Sequence, residues 1–152
     1  LATAMAVGDL GQQALLDAVT AACKAGELQI VDEVAEKLKY KAKLALAKVE
    51  LYAAHYRVGS QKSAERAFSG VYLAAKAIIL PTQRSKVFLA LCKKACEIGD
   101  ISRALRAMNS VVVVRDKVEA LVSIAAWRRK KKVQLTAEDK LYLQKLLKQI
   151  GK

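Results

Sequence analysis

Three glycines, Gly26, Gly59 and Gly99, each close a stretch in which apolar residues recur every three and four positions. That spacing is the one a helix with a single buried face imposes. A glycine at its end supplies the left-handed residue of a tight turn. The rest of the chain offers little to interrupt helices, with one proline and seven glycines in 152 residues. Hydrophobic residues make up 54%, aromatics only 5%, and alanine, leucine and lysine dominate. Such a composition disfavours disorder, collagen and all-β architectures and points to an all-α chain.

The period predicts eight helices, over 10–25, 28–38, 40–57, 61–79, 83–97, 100–113, 115–129 and 137–150. Pro81 is expected to stop the fourth and to bias Leu80 away from helix. Thr136 and Asp139 have capping-box spacing at the start of the eighth. Val111–Val114 favour a strand by residue type, but their place between two helices reads as a helix end or connector. The helix pairs are related to one another. A shift of 31 residues sets Arg84, Lys86, Val87, Leu91 and Ala95 against Arg115, Lys117, Val118, Val122 and Ala126. A shift of 40 sets Gly59, Ala64, Ala67 and Phe68 against Gly99, Ala104, Ala107 and Met108. Two helices per unit at a period near ~34 mark an α-solenoid.

The run Ile98-Gly99-Asp100-Ile101-Ser102-Arg103-Ala104, followed by Met108 and Val111, resembles the turn and second helix of a tetratricopeptide repeat. Phe88, Leu91 and Cys92 stand where that family's first helix has its bulky, leucine and small residues. Val58-Gly59-Ser60, Ala64, Phe68 and Val71, with Leu51 before them, form a second match. Lys48 and Tyr52 depart from the pattern, no closing proline follows a second helix, and a pentatricopeptide or other helical repeat is also compatible. The resemblance implies a right-handed α-solenoid of three to four helical hairpins with a C-terminal capping helix. The corresponding divisions are an N-terminal extension over 1–9, the repeat domain over 10–130, a basic linker over 131–136 and the capping helix over 137–152. It also implies a concave surface that binds a protein or peptide.

Charge is unevenly placed. Residues 1–36 carry six acids and one base, net −5, whereas residues 37–152 carry 26 bases and 8 acids, net +18. Such a field attracts acidic protein surfaces or polyanions. The densest cluster is Arg128-Arg129-Lys130-Lys131-Lys132, an anchor for nucleic acid, an acidic partner or an anionic membrane, or else a cationic helix end favoured by the macrodipole and then a solvated loop. In a tetratricopeptide-like stack Lys86, Lys93 and Lys117 face the groove and would pair with a partner's carboxylates. Trp127, with Tyr56 and Cys96 at equivalent positions, is either an aromatic anchor for a peptide or packing against the next helix pair.

No catalytic constellation emerges. His55 is the single histidine, which denies the chain a multi-histidine metal site and leaves a packed helical side chain as the simpler reading. Cys92 and Cys96 lack further ligands at zinc spacing and read as small buried residues. Gly59-Ser60-Gln61-Lys62-Ser63 lacks the glycines and preceding strand of a phosphate loop. No cofactor or metal is expected. The odd number of cysteines, Cys23, Cys92 and Cys96, fits a reducing, cytoplasmic setting, and no apolar run is long enough for a membrane span. The expectation is a non-enzymatic interaction module for an acidic or amphipathic segment of a partner protein, with self-association possible. RNA or other nucleic acid on a basic helical surface is the alternative.

Overall fold

The computed structural model describes residues 8–131 and 135–150, all of whose regular structure is helical. The chain divides into two compact units, Leu1–Ile79 and Leu80–Lys152. The first holds α1 (Asp9–Ala25), α2 (Leu28–Ala35), α3 (Lys41–Arg57) and α4 (Gln61–Lys76). The second holds α5 (Pro81–Ile98), α6 (Ile101–Asn109), α7 (Val114–Lys131) and α8 (Ala137–Ile150).

The glycine turns form as the spacing requires, at φ of 80° for Gly26, 77° for Gly59 and 84° for Gly99. Each makes the same pair of closing bonds. The residue after the glycine donates to a carbonyl five residues back: Glu27 to Ala22, Ser60 to His55 and Asp100 to Ala95. The glycine N–H itself donates to Cys23, Tyr56 or Cys96. These bonds satisfy carbonyls that a helix end leaves open.

Some helix ends differ from the periodic expectation, for local reasons. α2 stops at Ala35 and α6 at Asn109, because the next residues tighten into i→i+3 turns: Leu38 N–H donates to Ala35 and Val111 N–H to Met108. Those turns bring Leu38 and Val111 inward, where both are buried. α4 likewise ends at Lys76 so that Ile78 is buried. Pro81 opens α5 instead of merely ending α4; its missing N–H is one that a first turn leaves unused. α7 continues to Lys131, carrying the described part of the basic run in its last turn. Thr136 Oγ1 accepts the Asp139 N–H at 3.1 Å and caps α8.

In the first unit α1 packs on α2 and α3, and α4 lies along α3. The α3/α4 contact is close because small residues make it: Ala45, Ala53 and Ala64 are fully buried, and Tyr52 meets Phe68 edge-on with ring centres 5.4 Å apart. In the second unit α5 packs on α6 and α7, while α8 packs on α6. Leu91, Cys92, Ala104, Ala107, Met108 and Ala120 are fully buried there.

The first three helices of each unit correspond at a constant spacing, that between Gly26 and Gly99. At that spacing Val19 matches Cys92, Cys23 matches Cys96, Val31 matches Ala104, Ala35 matches Met108, Leu38 matches Val111 and Leu51 matches Ile124. All twelve are buried. Two polar devices recur in register. Gln12 is buried and its Oε1 accepts the backbone N–H of Lys39 at 2.7 Å and of Tyr40 at 3.1 Å, just before α3. Ser85, its counterpart, is buried and accepts the Val113 N–H at 3.1 Å, just before α7. Lys43 Nζ donates to Gln13 Oε1 at 2.8 Å, and the matching positions hold Lys86 Nζ donating to Asp116 Oδ1 at 2.8 Å. Each unit thus ties its first helix to the start of its third, once with a neutral bond and once with an ion pair.

Candidate partner-binding face

The structure places the lysines expected to line a groove in different surroundings. Lys86 is bound to Asp116, whose side chain is almost fully buried while the lysine stays largely exposed. The Lys86 ammonium holds the Asp116 carboxyl below the usual carboxylate range, against the opposing effect of burial. Asp116 Oδ2 has no hydrogen-bond partner among the described residues. Lys93 pairs with Glu119 at the surface and lowers that carboxyl as well. Both cations are therefore engaged by carboxylates of α7. Lys117 follows Asp116 directly, so its side chain projects about 100° around the helix from the Lys86 contact.

Trp127 is half-buried within the second unit. Its Cζ2 lies 3.7 Å from the point a Cβ on Gly99 would occupy, so the ring covers the α5–α6 turn. Its Nε1 is buried without an acceptor among the described residues. Tyr56 is half-buried and Cys96 buried. Arg128, Arg129, Lys130 and Lys131 are exposed in the last turn of α7 and join no ion pair among the described residues. Lys132 lies outside the described residues. Lys86 and Lys93 thus bind the same helix that carries the basic turn, but from within the fold.

A feature that the residue pattern did not single out lies on α7 itself. Val114, Val118, Val122 and Ala125 recur at helical spacing along one face, ending at Arg129, and all are exposed. At the inter-unit spacing Val118, Val122, Ala125 and Ala126 match Ala45, Val49, Tyr52 and Ala53, every one buried on α3, where α4 lies. α8 packs on α6 instead. The face of α7 that corresponds to the α4-covered face of α3 is therefore open. Comparing the chain with itself at the combined length of two helix pairs would have aligned these positions, but the sequence holds no sign of which copy is covered.

The cysteines are buried. Burial pushes the Cys23 thiol up to about 11. A hydrogen bond with the Cys96 thiol, joined by burial, raises Cys92 as well, and Cys92 Sγ lies 4.0 Å from the Ala120 carbonyl. Among the described residues no three His, Cys, Asp or Glu side chains are grouped to hold a metal ion, and no helix is long and apolar enough to cross a membrane. Set against protein-family models, curated proteins and solved structures, the chain matches none.

Proposed function

We propose that this protein is a non-enzymatic, tetratricopeptide-like interaction module that seats an amphipathic, acidic helix of a partner protein along the open face of α7. The observation that carries the reading is the contrast between α3 and α7. α4 supplies the template of an occupant: Ala64, Ala67, Phe68, Val71 and Ala75 form its buried face. A partner helix with small and aromatic residues at that spacing would cover Val118, Val122 and Ala125. The cations around the face, Arg115, Arg128, Arg129 and Lys130, favour acidic residues on the partner's flanks and speed its encounter. The recurring glycine turns support a degenerate helical repeat, and three free, buried cysteines support a reducing, cytoplasmic setting.

The test uses two labelled peptides. One has the sequence of residues 61–76; in the other Lys62, Arg66 and Lys76, all on the exposed side of α4, are replaced by glutamate. The acidic peptide should bind the more tightly at about 50 mM salt and weaken at about 200 mM. Val118→Lys with Val122→Lys should reduce its affinity about tenfold or more. Equal binding by this variant removes the reading. The exposed, unpaired Arg128–Lys131 turn favours one rival, nucleic acid. Submicromolar binding of single-stranded RNA that persists at about 200 mM salt and is lost on neutralising residues 128–132 would establish that instead.

A further inference from the structure

The first unit contains a second feature, independent of α7. A groove of about 310 Å³ runs between α3 and α4, lined by Lys48, Leu51 and His55 from α3, Ser63, Arg66, Ala67 and Gly70 from α4, and Asp32 from α2. Its construction follows from helical spacing. Lys48, Leu51 and His55 are three and four residues apart on one face of α3; Ser63, Arg66, Ala67 and Gly70 share one face of α4. Leu51 and Ala67 are buried and form an apolar floor. Gly70 leaves room beside the Lys48 stem, since a Cβ there would already touch Lys48 Cδ at 3.7 Å.

These cations differ from four that lie along α5 and α6. Lys86, Lys93, Lys94 and Arg103 are each paired with a carboxylate. The side chains of Lys48, Arg66, His55 and Ser63 form no hydrogen bond or ion pair among the described residues, although they line one cavity from both walls. Two unpaired positive charges thus line the groove from opposite walls over an apolar floor, with an imidazole and a hydroxyl beside them. Ser63 also lies in the first turn of α4, the positive end of its helix dipole.

We propose that this groove binds a phosphate group, as free phosphate or as a small monoester. Arg66 offers a planar fork of donors, Lys48 a mobile point charge, and Ser63 a single hydroxyl donor. Donors arriving from two walls suit a tetrahedral oxyanion better than a planar carboxylate, which accepts chiefly in its own plane. The carboxylate of Asp32 adds discrimination. Monohydrogen phosphate carries a P–OH that Asp32 accepts, whereas sulfate at neutral pH has no proton to give and leaves that carboxylate facing a like charge.

The test is a titration of the full chain with inorganic phosphate at constant ionic strength, followed through amide and side-chain NMR shifts of Lys48, His55, Ser63 and Arg66. Saturable shifts confined to this groove are expected, with sulfate binding more weakly. Arg66→Ala and Lys48→Ala should each weaken phosphate about tenfold, the loss of one charged hydrogen bond. Asp32→Asn should tighten sulfate and narrow its gap from phosphate. Phenyl phosphate separates the two sources: tighter binding, with shifts at Leu51 and Ala67, assigns a monoester, and no gain assigns free phosphate. Shifts that do not saturate, equal saturation by sulfate, or phosphate binding retained when Lys48 and Arg66 are both replaced would overturn the proposal. Both side chains lie at the groove rather than in the core, and a thermal melt of each variant verifies that it is folded.

Discussion

Val49 and Val122 occupy the same point of corresponding helices, one residue type at the same distance past Gly26 and Gly99, yet Val49 is 2% exposed and Val122 61%. The difference arises in the fourth helix of each unit. α4 lies on α3 and covers Val49; α8 lies on α6, where Asp139 receives the Ser102 hydroxyl at 3.2 Å, and α7 is left bare. A contiguous apolar stripe on a helix, edged by unpaired cations, is a surface suited to another helix.

The two valines should respond oppositely to a charge. Val49→Asp puts an unpaired carboxylate among Ala45, Tyr52 and Ala53 and should destabilise by about 3–5 kcal/mol. Val122→Asp should change stability by no more than about 0.5 kcal/mol and should weaken the acidic peptide further by repulsion. Urea unfolding of both variants, alongside peptide anisotropy, makes the comparison.

Gln12 and Ser85 satisfy backbone donors at the entrances to α3 and α7. Gln12→Ala leaves two N–H groups without their acceptor and Ser85→Ala leaves one. Each orphaned buried donor costs about 1–3 kcal/mol, so the Gln12 variant should be the less stable. Amide exchange should quicken at Lys39 and Tyr40 in one case and at Val113 in the other. Unchanged exchange in both variants would remove the latch from the account of the fold.

The Lys86–Asp116 pair makes stability depend on acid in a definite direction. Because the folded carboxyl titrates below its unfolded value, the pair stabilises above about pH 4 and the contribution is lost as pH falls through the lower folded value. Lys86→Met takes the ammonium away from the buried Asp116, which keeps Ser85 and the Arg115 charge beside it, and should cost about 1–2 kcal/mol at pH 7, with the lysine's exposure keeping the loss modest. The gap between variant and parent should narrow progressively as pH is lowered below about 4, as measured by urea midpoints across that range.

Gly99 has a positive φ, which an L-residue adopts at a cost of about 1–2 kcal/mol. Gly99→Ala should lose that much in thermal unfolding. It should also alter Trp127 fluorescence, because the new methyl meets the indole.

Much of the helical pattern was legible in the residues, because periodicity and glycine act locally. Gly26, Gly59 and Gly99 adopt the conformation their positions demanded, and the eighth helix spans 137–150 as its capping pair indicated. The ends at Ala35, Lys76 and Asn109 were less so, since each is set by an apolar residue two or three positions on that turns inward. The charged surface was least legible. Lys86 and Asp116 are 30 residues apart, and nothing near either residue marks the other as its partner; that depends on how α5 docks on α7. The exposure of Val118 and Val122 was not legible either, because apolar spacing reports which side of a helix is apolar, never whether another helix arrives to cover it.

The likeness of α3 and α7 also bears on how copies of this chain would go wrong together. α4 follows the Gly59–Ser60 turn, and a chain in which that helix has come away from α3 presents a helix already shaped for the α7 of a neighbour. A reciprocal exchange closes two copies about a two-fold axis, whereas a one-way exchange leaves a free α4 and a free α7 for the next molecule. Concentrated or partly unfolded material should therefore collect as exchanged pairs or as open-ended strings, which light scattering tells apart.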